Sequence, residues 1–408
     1  MGRGFQDVIR RRSDRQLARM METAHPSTLQ RIQAHQPFFK PVDVLAQQVA
    51  DRGERFVSFG HYDYLGLAHH PQVISAGITA LQVHGSGAGA SRLVGGERLL
   101  HQEFESELAA FLGVEATLGI ISGYLSNLTL ITHMLDSQDL LVMDALSHNS
   151  IMAAARAGTF RTRTFDHNDC DDLDRILTAE RGNYRNVLIV TEGLFSMDGD
   201  HPDLPRLLDI RDRHEAWLML DEAHSYGVLG ATGRGLTEHY GIDPKRVDIS
   251  VGTLSKSFAA SGGFIAASAT VIQWLRYTLP GFIFSVGLSP VTVATARAAL
   301  GVLAHDPERV ARLHRNSRRF LDLAGKAGFD TGSAQGIAVV PLLFPDTDTT
   351  LVAAMALEQA GIFAPPVIIV GVPMDKPRIR FFLSAAHRDA DIDKVFAVLQ
   401  QAFPNGLG

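Results

Sequence analysis

The chain has 408 residues, a length that predicts more than one hydrophobic core. Its composition, with 46% hydrophobic and 20% charged residues, is typical of a globular protein. Its formal net charge of −6 at pH 7 excludes a bulk electrostatic attraction to nucleic acid. The single cysteine, Cys170, excludes a disulfide within the chain and a cysteine-based metal cluster.

Residues 1–55 are predicted to form a polar, helical N-terminal segment. Its arginines at 10–12, 15 and 19 are expected on a solvated helix face, because acidic residues interrupt them and the apolar face is thin; a membrane-surface role is the weaker alternative. No apolar run approaches the ~18 residues that span a bilayer, and no apolar core of a signal peptide follows the N-terminus. We therefore expect a cytoplasmic protein without a transmembrane segment.

Short apolar runs alternate with helical patterns between residues 56 and 290. This alternation predicts βαβ units and a mostly parallel sheet in a large domain. One of the helices, over residues 205–214, begins with Pro205, which suits the first helical position. The predicted strands cover residues 116–122, 140–144, 187–192, 216–221, 247–252 and 263–267.

The pattern changes near residue 289. Helices are predicted over residues 289–304 and 308–328, and strands near residues 337–344 and 378–384. Residues 291–408 are therefore expected to form a smaller α+β domain.

Lys256 follows the predicted strand 247–252 and precedes the small residues 259–263. A lysine between a buried strand and a glycine turn loses hydration, which favours the neutral amine. A neutral amine forms a Schiff base with a carbonyl compound, and pyridoxal phosphate is the cofactor that uses a lysine in this way.

Ser122, Gly123 and Tyr124 stand where a predicted strand passes into a helix. Backbone N–H groups at such a helix start bind a phosphate, and a small residue allows its close approach. An ordinary strand-to-helix turn is the alternative. Thr253 and Ser255, just before the lysine, offer hydroxyl groups for the same phosphate.

Asp221 ends another predicted strand, and His224 follows it. A carboxylate at this edge of a parallel sheet can keep a pyridine nitrogen protonated, and the imidazole can bond the phenolic oxygen of the ring. An aspartate that caps the next helix is the alternative for Asp221 alone. His148 and Ser196 follow two more strand ends; His148 is expected to stack on the ring, although most of the 17 histidines are expected to be structural.

Arg378 and Arg380 lie two positions apart on a predicted strand and therefore share a face. One of them is expected to bind a substrate carboxylate in a bidentate manner, through two nitrogens of its guanidinium group. A solvated arginine is the alternative, and it is expected to describe the other one.

With these residues the chain resembles the α-oxoamine synthases, which are pyridoxal phosphate enzymes of the type I aminotransferase fold. The resemblance runs from about residue 59 to the C-terminus. It implies an α/β fold with a large, mostly parallel seven-stranded sheet domain and a smaller α+β C-terminal domain. The segments that carry it are residues 64–68, 85–94, 192–200, 221–225, 253–256 and 380–387.

The resemblance also implies a role for each candidate residue and a homodimer with shared active sites. In such a dimer, Ser285, within residues 284–290, would contact the phosphate bound by the neighbouring subunit. No metal is implied. The implied roles are a covalent cofactor link for Lys256, ring contacts for His148, Asp221, Ser196 and His224, phosphate contacts for Ser122, Gly123, Tyr124, Thr253 and Ser255, and substrate contacts for Arg380, Tyr62 and His148.

The implied reaction is a decarboxylative Claisen-type condensation of serine, glycine or alanine with an acyl thioester of coenzyme A or acyl carrier protein, which gives an α-amino ketone. Tyr62 and residues 255–257 are similar to bacterial serine palmitoyltransferases, whereas residues 378–380 and 384–387 resemble glycine C-acetyltransferases. An 8-amino-7-oxononanoate synthase-like activity is a further alternative. Outside the family reaction, the alternatives are transamination or another type I reaction, and a catalytically silent subunit of a heterodimer, against which the retention of Lys256 counts.

Overall fold

The computed structural model describes residues 4, 6–13, 38, 40–45, 48–51, 54–368 and 376–404. Residues 6–13 are helical, whereas the arginines at 15 and 19 lie outside the described residues. No helix in the described part is both long and apolar enough to cross a membrane. The strands are, in chain order, β1 Asp43–Leu45, β2 Gln48–Asp51, β3 Glu54–Ser58, β4 Ala116–Ile120, β5 Leu140–Asp144, β6 Arg161–Phe165, β7 Val187–Glu192, β8 Trp217–Asp221, β9 Ile249–Thr253, β10 Gly263–Ala267, β11 Val339–Leu343, β12 Ile362–Phe363, β13 Pro366–Val367 and β14 Arg378–Phe382.

The helices connect these strands and cover the sheets. Two short ones, Leu236–His239 and Pro280–Ile283, have four residues each. The longer ones are Pro71–His84, Leu99–Leu112, Gly123–Met134, Asn149–Ala157, Cys170–Glu180, Leu204–Arg213, Ala269–Thr278, Pro290–His305, Glu308–Lys326, Thr347–Gln359 and Asp389–Ala402.

Within the described residues, the largest sheet has seven strands in the order β4-β10-β9-β8-β7-β5-β6. The pairs from β9 to β6 are parallel. Strand β10 runs antiparallel to both β9 and β4. These findings confirm the predicted large, mostly parallel seven-stranded sheet.

Strand β6 was not expected from the sequence. Its residues, Arg161–Phe165, are mostly polar and partly or fully exposed, whereas every residue of its neighbour β5 is buried. An edge strand has one neighbour only and less cover, so it lacks the apolar run by which buried parallel strands are recognised.

Helices packed on the large sheet hold the start of the helix Gly123–Met134 in a defined position relative to the strands. Leu130 and Ile131 of Gly123–Met134 and Leu275 of Ala269–Thr278 are buried in one cluster with strand residues such as Leu118 and Met219. Full burial of one such side chain contributes about 1.5–3 kcal/mol. This packing holds the start of the helix Gly123–Met134 next to the ends of the strands.

The chain divides into two compact units. One comprises residues 62–315 with 384–386 and contains the seven-stranded sheet; the other comprises residues 1–61, 316–383 and 387–408. These limits differ from the division into 1–55, 56–290 and 291–408 drawn from the sequence. In the first unit, the helix Pro290–His305 lies so close to Pro71–His84 that a Cβ on Gly77 would be 2.9 Å from Cγ2 of Thr295.

The second unit contains two smaller sheets, in the orders β1-β2-β3-β12 and β11-β14-β13. Part of the predicted N-terminal helical segment is therefore strand, namely β1, β2 and the start of β3. The reason is pairing: β2 is antiparallel to both β1 and β3, and β3 pairs in parallel with β12, some 300 residues later in the chain. Local sequence does not reveal such a distant partner.

Candidate active site

A cavity of 400 Å³ lies where β8 and β9 end and the helix Gly123–Met134 begins. This is the edge at which open parallel sheets bind ligands. It brings together nine of the residues singled out in the sequence: Ser122, Gly123, Tyr124, His148, Asp221, His224, Thr253, Ser255 and Lys256.

Lys256 stands on the tight connection between the antiparallel strands β9 and β10. The connection is closed by Leu254, whose N–H donates to Gly262 O at 2.9 Å and whose carbonyl accepts from Ala260 N at 2.9 Å. The lysine is half-buried, and its Nζ is 5.8 Å from the ring centroid of Tyr62. The backbone that carries the amine is thus held on both sides.

The carboxylate of Asp221 is 4% exposed and accepts two hydrogen bonds. Asn127 Nδ2 donates to Oδ2 at 2.6 Å, and the N–H of Ala223 donates to Oδ1 at 3.0 Å. Asn127 was not identified from the sequence. Its signal is a buried polar residue one turn into the helix that starts at the cavity.

His224 is oriented by Tyr64, whose hydroxyl is 2.7 Å from Nδ1 of the imidazole. Tyr64 is completely buried. Because one ring nitrogen is engaged by this hydroxyl, the plane of the ring and the direction of Nε2 are fixed. The segment 64–68 contributed to the family resemblance, but no role for the tyrosine itself was predicted.

His148 is held by two groups. Its backbone N–H donates to Glu192 Oε1 at 2.6 Å, and its Nδ1 is 2.7 Å from Ser150 Oγ. Tyr124 meets the imidazole edge-on, with ring centroids 6.1 Å apart. Glu192 and Ser150 line the cavity and were not among the predicted site residues.

Glu192 is 3% exposed and lies directly opposite Asp221 in the β7–β8 pair. Burial, followed by the nearby Asp221 carboxylate, raises the pKa of Glu192 well above its ordinary value. Two ionised carboxylates on facing positions of paired strands repel each other, so this environment favours the protonated form of Glu192.

The other end of the cavity is suited to an anion. Ser122 caps the helix by accepting from Leu125 N, and the amides of Gly123 and Tyr124 follow at the helix start. Thr253 Oγ1 is 2.8 Å from Ser255 Oγ. A Cβ on Gly123 would lie 3.0 Å from Thr253 Oγ1, so glycine allows the helix start and the hydroxyl groups to meet.

Four predicted residues do not line this cavity in the described part of the chain. Ser196 lies in the turn after β7, and Tyr62 is near Lys256 but exposed. Ser285 is half-buried beside Phe284, whose side chain is 85% exposed. Arg380 lies on β14 in the other compact unit, with its guanidinium 4.4 Å from the ring centroid of Phe382.

The donor set matches pyridoxal phosphate. An amine is available for an aldehyde, a buried carboxylate for a pyridine nitrogen, two oriented imidazoles for the ring, and amides with hydroxyl groups for a phosphate. All of them border one cavity, whose volume is in the usual range for small-ligand sites.

Residues 54–399 match the model of the family described as aminotransferase class I and II. The chain is 35% identical over 349 residues to 8-amino-7-oxononanoate synthase of Treponema denticola, which covers 86% of this chain and 88% of that protein. It is 34% identical over 370 residues to serine palmitoyltransferase of Sphingobacterium spiritivorum, and this match covers 90% of this chain and 92% of that protein. A solved structure of serine palmitoyltransferase from S. paucimobilis, with PLP and myriocin bound, has a TM-score of 0.87 at 30% identity and covers 92% of this chain and 95% of that one.

Proposed function

Since this chain belongs to the aminotransferase class I and II family and, within it, to the α-oxoamine synthases, we propose that it condenses serine with a long-chain acyl thioester, with loss of carbon dioxide. It is a pyridoxal phosphate-dependent acyltransferase, as the sequence predicted. The amino acid, the acyl chain and the residue roles below are our proposal, as are a homodimeric state and a cytoplasmic location.

One observation supports the proposal above all others. The amine of Lys256, the carboxylate of Asp221 and the imidazoles of His148 and His224 border a single cavity, and the last three are each fixed by a hydrogen-bonding partner. Such pre-positioned groups are what catalysis by a bound cofactor requires of a protein.

When bound, pyridoxal phosphate supplies an aldehyde for the amino group and a protonated ring that withdraws electrons from the amino acid. Asp221, positioned by Asn127, would hold the proton on the ring nitrogen. The helix start at Gly123 and the hydroxyl groups of Thr253 and Ser255 would bind the phosphate, and His148 would cover one face of the ring.

Lys256 has two proposed tasks, first as the covalent anchor of the cofactor and then as the base that removes the Cα proton of the amino acid. Arg380 would bind the carboxylate of that amino acid. A bond then forms between Cα and the acyl carbon as the carbon–sulfur bond breaks, and the departing thiolate takes a proton from the solvent. After the carboxyl group departs as carbon dioxide, Lys256 returns a proton to Cα.

The similarity to 8-amino-7-oxononanoate synthase supports a second candidate reaction. The name of that product describes an alanine-derived carbon skeleton with a carboxylate at the far end of the acyl chain. The corresponding substrates are alanine and a dicarboxylic acyl thioester. Glycine with an acetyl thioester is the third pair to be compared.

The deciding experiment measures thiol and carbon dioxide released by the holoenzyme from each of these three pairs. We expect stoichiometric release of both, fastest with serine and a long acyl chain. Formation of a keto acid without thiol would instead indicate transamination and refute the condensation. The control is Lys256→Ala, which should keep the wild-type circular dichroism spectrum and release neither product.

A further inference from the structure

A second cavity, of 430 Å³, lies at the amino ends of strands β8 and β9, whereas the candidate active site lies at their carboxyl ends. Trp217 begins β8 and Ile249 begins β9, whereas Asp221 and Thr253, at the other ends of these strands, border the candidate active site. The chain has two tryptophans, Trp217 and Trp274, and both line this second cavity, which we call the tryptophan cavity.

The walls of the tryptophan cavity are mainly apolar. Besides the tryptophans, they include Met134, Leu188, Val247 and Val271. Trp274 is stacked on His133, with ring centroids 4.8 Å apart, and burial lowers the pKa of this histidine, which favours the uncharged imidazole. Aliphatic and aromatic walls of this kind bind an apolar ligand body.

The acidic side chains at the rim are already engaged. Glu115 accepts from the N–H of Ala269 at 2.9 Å. Asp248 Oδ2 accepts from Arg211 Nη1 and from the N–H of Leu218, each at 2.8 Å. Both carboxylates therefore already accept hydrogen bonds from the protein, Glu115 through one of its two oxygens.

The rim also carries one cation, the exposed Lys245. Its backbone N–H bonds Asp243, but in the described part of the chain no carboxylate pairs with its ammonium group. At the N-terminus of the neighbouring helix Ala269–Thr278, Glu115 accepts from the N–H of Ala269 and Ser268 from the N–H of Val271, so two of its first three amides are already engaged.

We propose that the tryptophan cavity binds an amphipathic monocarboxylate, with the aliphatic chain between Trp217 and Trp274 and the carboxylate on Lys245. The ammonium group of Lys245 favours an anionic head group, whereas it would repel the head group of an amine. This site is separate from the candidate active site and does not depend on the reaction proposed above.

The test uses the intrinsic fluorescence of the holoenzyme, because both tryptophans of the chain line the cavity. Decanoate, titrated below its micellar concentration, is expected to give a saturable change in the emission spectrum. Decylamine and methyl decanoate test the head group and should bind at least about tenfold more weakly, as expected when a charge-assisted contact is lost.

Two variants test the position. Lys245→Ala should weaken decanoate binding about tenfold, whereas the matched control Lys326→Ala, which also removes an exposed lysine, should leave it unchanged. Circular dichroism and the thermal midpoint serve to exclude misfolding. The absence of a saturable change, equal binding of decylamine, or wild-type affinity in Lys245→Ala would each overturn the proposal.

Discussion

Glu192 links two functional groups of the candidate site. Its side chain accepts a hydrogen bond from the backbone N–H of His148, and the residue itself lies opposite Asp221 in the β7–β8 pair. A neutral acid suits this place, since it accepts the hydrogen bond without adding a second negative charge beside Asp221. The carboxyl group therefore acts through its neighbours, as a positioning residue.

We expect Glu192→Gln to keep nearly wild-type kcat/KM, because the amide oxygen accepts the same hydrogen bond. Glu192→Ala leaves the N–H of His148 without its acceptor and should lower kcat/KM about tenfold or more, the equivalent of one buried hydrogen bond. The measurement is steady-state kinetics of both holoenzymes, with cofactor content determined from visible absorbance.

The pH dependence of activity shows whether the protonated form of Glu192 is the active one. As the pH rises through the raised pKa of Glu192, the wild-type side chain ionises next to Asp221, and activity is expected to fall. Glu192→Gln cannot ionise and should lack this alkaline decline. An equal decline in both enzymes, or a Gln variant as weak as the Ala variant, would rule out the neutral-acid role.

The sequence revealed residues whose position relative to a strand end indicates their chemistry. Lys256, Asp221 and His148 each follow an apolar strand, and parallel strands bring their carboxyl ends to one edge. Asn127, Tyr64 and Glu192 were not recognised, because their roles depend on contacts with residues that are distant in the sequence. The separations between the partners are 94, 160 and 44 positions, respectively. Such contacts are determined by packing, which single-sequence patterns do not specify.

At the scale of elements, the segment after β8 is secured by another buried acid. Glu222 accepts hydrogen bonds from Ser225 Oγ and from the N–H of Leu236, so it joins the two ends of a glycine-containing loop. Burial raises the pKa of Glu222 to about 7 from its ordinary 4.5.

This shift predicts a stability that falls with pH. Above pH 4.5 the unfolded chain releases the proton while the folded chain retains it, so the free energy of unfolding decreases by about 3 kcal/mol as the pH rises to about 7. Glu222→Gln keeps an acceptor oxygen and removes the titration. Chemical unfolding at pH 5 and pH 8 should show a smaller difference for this variant than for the wild type; equal differences would contradict the prediction.

A second element-scale feature is the close contact between β10 and the start of the helix Gly123–Met134. A Cβ on Gly263 would lie 2.6 Å from the Cα of Gly123, and backbone atoms cannot move aside as a flexible side chain can. Glycine at this position keeps in place the end of the cavity that is proposed to bind the phosphate.

We therefore expect Gly263→Ala to lower the free energy of unfolding by about 1–3 kcal/mol, as overpacking does, and to weaken cofactor binding. The matched control is Gly301→Ala in the helix Pro290–His305, where an added Cβ meets no atom within 4 Å. That substitution should stabilise the chain by about 0.5–1 kcal/mol. Thermal unfolding and cofactor titration of both variants provide the comparison, and a harmless Gly263→Ala would contradict the packing argument.

At the scale of the whole molecule, the motifs of the sequence predicted the family and the cofactor, and its apolar runs predicted six of the seven strands of the large sheet. The polar edge strand β6 and the N-terminal strands β1 and β2 were missed, since their pairing partners rather than their composition make them strands. The smaller compact unit also combines segments that are distant in the sequence, since residues 1–61 belong to the same unit as residues 316–383 and 387–408. Long-range grouping of this kind is not a property of any local pattern.

The proposed homodimer can be tested through Ser285. This serine stands between Phe284 and Val286, which are 85% and 52% exposed in the single chain, as expected of a segment that meets a partner. If Ser285 contacts the phosphate held by the neighbouring subunit, each active site combines Lys256 of one chain with Ser285 of the other.

Mixed dimers of Lys256→Ala and Ser285→Ala chains then contain one defective site and one complete site. We expect Lys256→Ala homodimers to be inactive and Ser285→Ala homodimers to bind the cofactor more weakly, whereas the mixed dimer, isolated with two different affinity tags, should have about half the activity of the wild type and one tightly bound cofactor. The reason is that the chain with an intact Lys256 receives its Ser285 from the Lys256→Ala partner. Cofactor affinity in the mixed dimer that is no better than in Ser285→Ala homodimers would show that the serine acts within its own subunit, and a monomeric wild type in light scattering would exclude sharing altogether.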